Sequence, residues 1–184
     1  MSKFDHHNSY GWISIFLHWV GATVIIALWF MGDSTNSTDV KNLGYMGQLH
    51  VSLALTFYLV LIARILWRLR SGHPRLEGQG NVTHWLGKMA HYAMLILIIL
   101  MLISGPLKIW SLGGTLAIFS TIYIPSPFGY LPWLSSFATM VHQYAGTALI
   151  ILITIHLCSA MKHLMFHDDE TFIRILLPRR KDEK

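Results

Sequence analysis

Four stretches of about 20 mostly apolar residues dominate this chain, each long enough to cross a hydrocarbon layer roughly 30 Å thick at about 1.5 Å of rise per residue. The first runs from about 12 to 31 without a charge, and the second from about 43 to 67, uncharged as far as Ala63 and then meeting Arg64. The third runs from about 89 to 107 and the fourth from about 137 to 161. Only 12% of the 184 residues are charged, about half the fraction usual in soluble domains, and 53% are hydrophobic. Inside a bilayer every peptide group must bond within its own segment. The pattern therefore predicts an all-α, integral membrane four-helix bundle forming a single domain over 1–184. The first stretch is too long for a signal-peptide core, lacks an A-x-A cleavage pattern and carries His18, which makes it a permanent span.

A fifth uncharged stretch, 109–136, is broken by Gly113, Gly114, Pro125, Pro127, Gly129 and Pro132. It reads as a long loop capping one end of the bundle, with Phe119, Tyr123, Phe128, Tyr130 and Trp133 suited to the membrane interface. Arg64, Arg68, Arg70, Arg75 and Lys88 fall between spans two and three, and Lys162, Arg174, Arg179, Arg180, Lys181 and Lys184 follow span four. The other two loops hold only Lys41 and Lys108, so the positive-inside rule places both termini and the middle loop in the cytoplasm. This distribution also explains the net charge of +5 as a topology signal, with no basic domain for nucleic acid.

The chemistry lies in the histidines, because a polar ring inside a span is costly and marks function. His18, His50, His91, His142 and His156 qualify by position. His142 and His156 are fourteen residues apart, which on a helix puts them within about 40° of one face and about 21 Å apart along the axis. One helix thus offers a metal ligand at each of two depths. His18 lies six residues after the cytoplasmic start of span one, and His156 six residues before Lys162, so those two match in depth. His50 and His142 both lie near the outer starts of their spans and also match. Two bis-histidine sites result, each able to hold a haem iron from both sides. The lone cysteine, Cys158, excludes the C-x-x-C-H pattern of covalently attached haem, so any haem here must be held by coordination and packing. His91 has no depth partner left and reads as a hydrogen-bonding residue beside the cofactor. A histidine-lined metal transporter would explain the pairing by depth poorly.

The segments Phe16-Leu17-His18-Trp19, Gln48-Leu49-His50-Val51-Ser52 and Arg64-Ile65-Leu66-Trp67-Arg68 resemble the bacterial di-haem cytochrome b561 family. So do Val141-His142-Gln143, Ile155-His156-Leu157 and the run from Lys162-His163 to His167-Asp168-Asp169-Glu170-Thr171. The resemblance implies that His18 with His156 hold a cytoplasmic-side haem b, and His50 with His142 a periplasmic-side one. It further implies an oxidoreductase of the bacterial inner membrane. One characterised member is a superoxide oxidase that passes electrons through both haems to ubiquinone. Related cytochromes instead link a periplasmic redox protein to the quinone pool, a choice that the fold does not make.

Further residues carry expectations. Arg64, fourteen residues beyond His50, falls at the depth of the cytoplasmic-side haem and suits a propionate there. Lys108 is the only charge between Lys88 and Lys162 and marks where superoxide or a reduced partner would deliver electrons. The outer loops balance Asp33 and Asp39 against Lys41 and Lys108, leaving no strong basic funnel for an anion. His163 follows His156 by seven residues, nearly on its face and about 10 Å nearer the cytoplasm. There it could bond a ubiquinone carbonyl and pass a proton, with Lys162 and His91 as neighbours.

Overall fold

The computed structural model describes Asp5 and residues 10–33, 44–71, 81–166 and 173–176. The chain runs α1 (Trp12–Asp33), α2 (Tyr45–Thr56), α3 (Tyr58–Ser71), α4 (Asn81–Trp110), β1 (Leu116–Ile118), β2 (Ile122–Ile124), α5 (Pro132–Phe166) and α6 (Ile173–Leu176). Three of these helices contain segments long and apolar enough to cross a membrane, at Trp12–Gly32, His84–Trp110 and Pro132–Lys162, and α2 with α3 makes a fourth if a bent pair counts as one span. The protein is thus a multi-pass helical membrane protein. Large apolar side chains such as Phe16, Phe30, Leu59 and Ile96 stand exposed along the helices, where lipid would cover them. Among the described residues the buried polar side chains are all small: Ser14, Ser52, Ser104, Ser111 and Ser135. Small hydroxyl residues let membrane helices approach closely and bond across the gap.

The second span differs from one continuous helix. α2 and α3 meet at Phe57 with a bend of 48°. The hydroxyl of Thr56 donates to the carbonyl of Ser52 at 2.8 Å, the kind of back-bond that bends a helix at its own turn. The stretch 109–136 also differs from a plain loop. α4 runs on to Trp110 and closes in a Schellman turn, with Gly113 at φ 72, its N–H on the Trp110 carbonyl, and the Gly114 N–H on that of Ile109. Leu116-Ala117-Ile118 then pairs antiparallel with Ile122-Tyr123-Ile124. Alternating branched and aromatic residues favour such a ribbon, and Ser52 of α2 fastens it. The Ser52 hydroxyl donates to the Ala117 carbonyl at 3.3 Å and accepts the Phe119 N–H at 3.0 Å. That support holds Phe119 and Ser120 at φ 45 and 56, a left-handed turn usually left to asparagine and glycine. α5 starts five residues before the expected span because Pro132 suits a first helical turn, where no N–H donor is needed.

The chain packs as two compact units, Met1–Ala22 with Val60–Leu95 and Ile151–Lys184, and Thr23–Leu59 with Ile96–Ile150. In the first, Asp5 organises the start of α1. Its carboxylate accepts the Gly11 N–H at 2.7 Å and the Ser14 hydroxyl at 2.9 Å, and lies 3.8 Å from Arg68. Ser14 in turn accepts the Trp67 indole N–H at 2.7 Å, joining α1 to α3. Asp5→Ala would leave these buried donors unmatched, which costs about 1–3 kcal/mol. A lower thermal unfolding midpoint in detergent is expected; an unchanged midpoint would show that the network contributes nothing.

Candidate functional site

Within the first unit, α1 brings His18 to His156 of α5, with ring centres 6.5 Å apart. Within the second, α2 brings His50 to His142 of α5, with ring centres 6.2 Å apart. An imidazole on each side of a first-row metal, at about 2.0–2.1 Å per bond and about 1.1–1.2 Å from nitrogen to ring centre, separates the rings by about 6.2–6.6 Å. Both gaps fall within or at the edge of that interval. His91 of α4 lies closer to His156, at 5.1 Å between centres, too near for an iron between them.

Second contacts fix which nitrogen faces a metal at the His50–His142 pair. The Nδ1–H of His50 donates to the Leu28 carbonyl of α1 at 2.9 Å, because a carbonyl can only accept. Ser104 of α4 gives its single hydroxyl hydrogen to the Leu100 carbonyl at 2.6 Å, so at 3.0 Å from His142 it must accept the Nδ1–H. Each ring therefore carries its lone pair on Nε2, as a ligand histidine needs. Glycines clear space for both rings. A Cβ at Gly32 would meet His50 Cε1 at 3.2 Å, and one at Gly105 would meet His142 Cε1 at 3.3 Å.

The neighbour of Gly105 completes a short motif, Ser104-Gly105-Pro106. Pro106 has no N–H for the Leu102 carbonyl one turn back, and the Tyr58 hydroxyl supplies a donor to it at 3.1 Å. Sequence reasoning passed over Ser104, Gly105 and Tyr58. A proline inside an apolar span was the signal that could have found them.

At the His18–His156 pair the setting is cationic. Arg64 of α3 donates Nη1 to the carbonyls of Leu17 and His18 at 3.0 and 2.7 Å, and its Nη2 lies 3.5 Å from His18 Nδ1. It reaches α1 over Gly21, where a Cβ would stand 2.8 Å from Arg64 Cδ. Its Nε is buried without a partner among the described residues, an opening for an anion. Lys108 lies partly buried in the last turn of α4. Lys162 is exposed on α5. His163 belongs to α5 but its side chain lies outside the described part, as do His167, Asp39 and Lys41.

Separate from the pairs, a cavity of about 520 Å³ opens between α2 and the β-ribbon, lined by Tyr45, Gln48, Ser52 and Phe119 among others. Positions 45, 48, 49 and 52 form one face of α2, and His50 stands on another.

Haem fits these residues. Among the described residues no three His, Cys, Asp or Glu side chains gather around one point. A two-histidine gap suits a metal that arrives with its other ligands, as iron does in a porphyrin. Ring spacing, the glycine clearances and the orphaned Arg64 Nε agree with that group.

Fold and site together define a multi-pass helical membrane protein whose half-buried histidines are paired at metal-bridging distance. The chain belongs to the prokaryotic cytochrome b561 family, whose model matches residues 9–177. It is also 25% identical over 179 residues to cytochrome b561 homolog 2 of Escherichia coli (strain K12), covering 96% of this chain and 95% of that protein. Membership carries b-type haem binding and transmembrane electron transfer.

Proposed function

We propose that the protein moves electrons across the bacterial inner membrane through two b haems, one held by His18 and His156 and the other by His50 and His142. The observation that carries this reading is the ring spacing of 6.5 and 6.2 Å, which leaves room for one metal in each pair. Haem held there would supply a one-electron carrier. The chain's residues supply the rest. Ser104 and the Leu28 carbonyl hold the rings of one pair, Gly32 and Gly105 leave space for those two rings, and Arg64 would offer Nε to a propionate at the other. Both termini lie in the cytoplasm in this reading, which places the His18–His156 pair on that side and the His50–His142 pair toward the periplasm.

The donor in this reading is periplasmic superoxide and the acceptor is ubiquinone, as the family resemblance implies. Lys108 supports the donor side, since it is a cation in the last turn of α4, the helix that also carries the His142 partner Ser104. For the acceptor side we propose His163, whose side chain lies outside the described residues, with Lys162 and His91 as further candidates; His91 stands 5.1 Å from His156 between ring centres. Stopped-flow reduction by generated superoxide tests the donor. Fast reduction that superoxide dismutase abolishes and that slows several-fold in Lys108→Gln is expected. Slow reduction, indifferent to salt and unchanged in Lys108→Gln, would favour a second reading. In that reading the chain is a membrane subunit that takes electrons from a periplasmic redox protein, and the exposed Tyr123, Tyr130 and Trp133 offer such a partner a surface.

A further inference from the structure

We propose that Tyr58 is a positioning residue for the His50–His142 site: by bracing α4 at its proline it holds Ser104 and Gly105 against one edge of the His142 ring, whose plane crosses that of His50 at 76°. This rests on the two-haem reading above and adds the residues that set the electronic state of one haem.

Pro106 lies inside α4 and brings no N–H, so the Leu102 carbonyl one turn back has no donor in its own helix. The Tyr58 hydroxyl donates to that carbonyl at 3.1 Å. Tyr58 opens α3 directly after the 48° bend at Phe57, so the break in one span meets the break in the other. Ser104 and Gly105 lie between the freed carbonyl and the proline, in the turn whose ladder is interrupted. The Ser104 hydroxyl also bonds back to the Leu100 carbonyl at 2.6 Å, a contact that bends a helix further. The shape of this turn therefore depends on a bond from outside α4, and Tyr58 provides it.

Both rings of the pair are gripped in the same way, along the edge from Nδ1 to Cε1. His142 has the Ser104 hydroxyl 3.0 Å from Nδ1 and Gly105 beside Cε1, where a Cβ would come to 3.3 Å. His50 has the Leu28 carbonyl 2.9 Å from Nδ1 and Gly32 beside Cε1, where a Cβ would come to 3.2 Å. An imidazole held along one edge by a hydrogen bond and a close backbone cannot turn freely about its Cβ–Cγ bond, so the crossing angle of 76° is a built feature. That angle has an electronic meaning. An axial imidazole raises the iron d orbital that overlaps its π system. Parallel rings raise the same orbital and split the pair, whereas crossed rings raise one each and leave the two nearly equal. Near equality gives ferric low-spin iron a strongly anisotropic signal in electron paramagnetic resonance. The plane of His142 thus governs which orbital holds the unpaired electron, and the turn braced by Tyr58 governs that plane.

Low-temperature electron paramagnetic resonance of the oxidised, full-length, haem-loaded protein in detergent tests the proposal. The signal that disappears in His142→Ala belongs to this site, and in the parent it should be strongly anisotropic. Tyr58→Phe removes only the hydroxyl. It should keep two haems per chain and move the largest g-value of that signal downward, leaving the other haem's signal in place. Ser104→Ala should move it in the same direction, and Ser104→Thr should restore it. Because both residues act on one ring through one turn, the Tyr58→Phe, Ser104→Ala double variant should shift the signal by less than the sum of the two single shifts. Gly105→Ala presses on His142 Cε1 with the Tyr58 and Ser104 hydroxyls still present; it should disturb the same signal alone, and it decides the matter if Tyr58→Phe loses haem. An unmoved signal in Tyr58→Phe, additive shifts in the double variant, or equal movement of both haem signals would overturn the proposal. One haem per chain in the parent by pyridine haemochrome would instead sink the two-haem reading.

Discussion

His142→Ala is expected to leave a folded protein with one haem per chain in place of two. The ring of His142 lies 6.2 Å from that of His50 and receives its orientation from Ser104, so in the two-haem proposal its loss would remove one of the two residues that hold that haem. Among the described residues, His50 is the ring paired with His142 at bridging distance. His50→Ala should give the same half-loss by pyridine haemochrome, while the haem of the other pair keeps its spectrum and potential. Retention of both haems in either variant would remove that histidine from the ligand set.

A comparison of His18 with His91 should give the second large effect. Both rings face His156, at 6.5 and 5.1 Å, yet only the longer distance admits an iron with an imidazole on either side. His18→Ala is therefore expected to remove one haem, and His91→Ala to remove none, shifting at most the spectrum of the haem bound by its neighbour. Haem counts per chain and low-spin marker bands measured on both variants decide the matter. Loss of a haem in His91→Ala with retention in His18→Ala would reverse the pairing and place His91 on the iron.

The outline of this protein was legible in its sequence because lipid imposes a simple rule on a chain. A span must be long, apolar and hydrogen-bonded within itself, so uncharged runs reveal where helices stand, and the fourteen-residue spacing of His142 and His156 shows that one helix serves two depths. The matching of His18 with His156 and of His50 with His142 followed from depth alone, and the fold brings those rings together. What periodicity could not carry is whatever depends on one particular neighbour. The bend at Phe57 comes from a Thr56 hydroxyl turned back on Ser52, and the β-ribbon stays in place because Ser52 also holds its strained turn. Ser104 looks like any small residue in an apolar run until the fold sets it 3.0 Å from His142. Arg64 reads as a charge at the right depth, but only packing over Gly21 shows it bonded to the carbonyls of Leu17 and His18 with one nitrogen left over. Sequence by itself determined which residues could reach the same level of the membrane, because hydrophobic length and helical rise fix depth. Only the tertiary structure decided which nitrogen each ring presents and which charge stands beside it, because hydrogen bonds act over about 3 Å and no linear pattern resolves that distance.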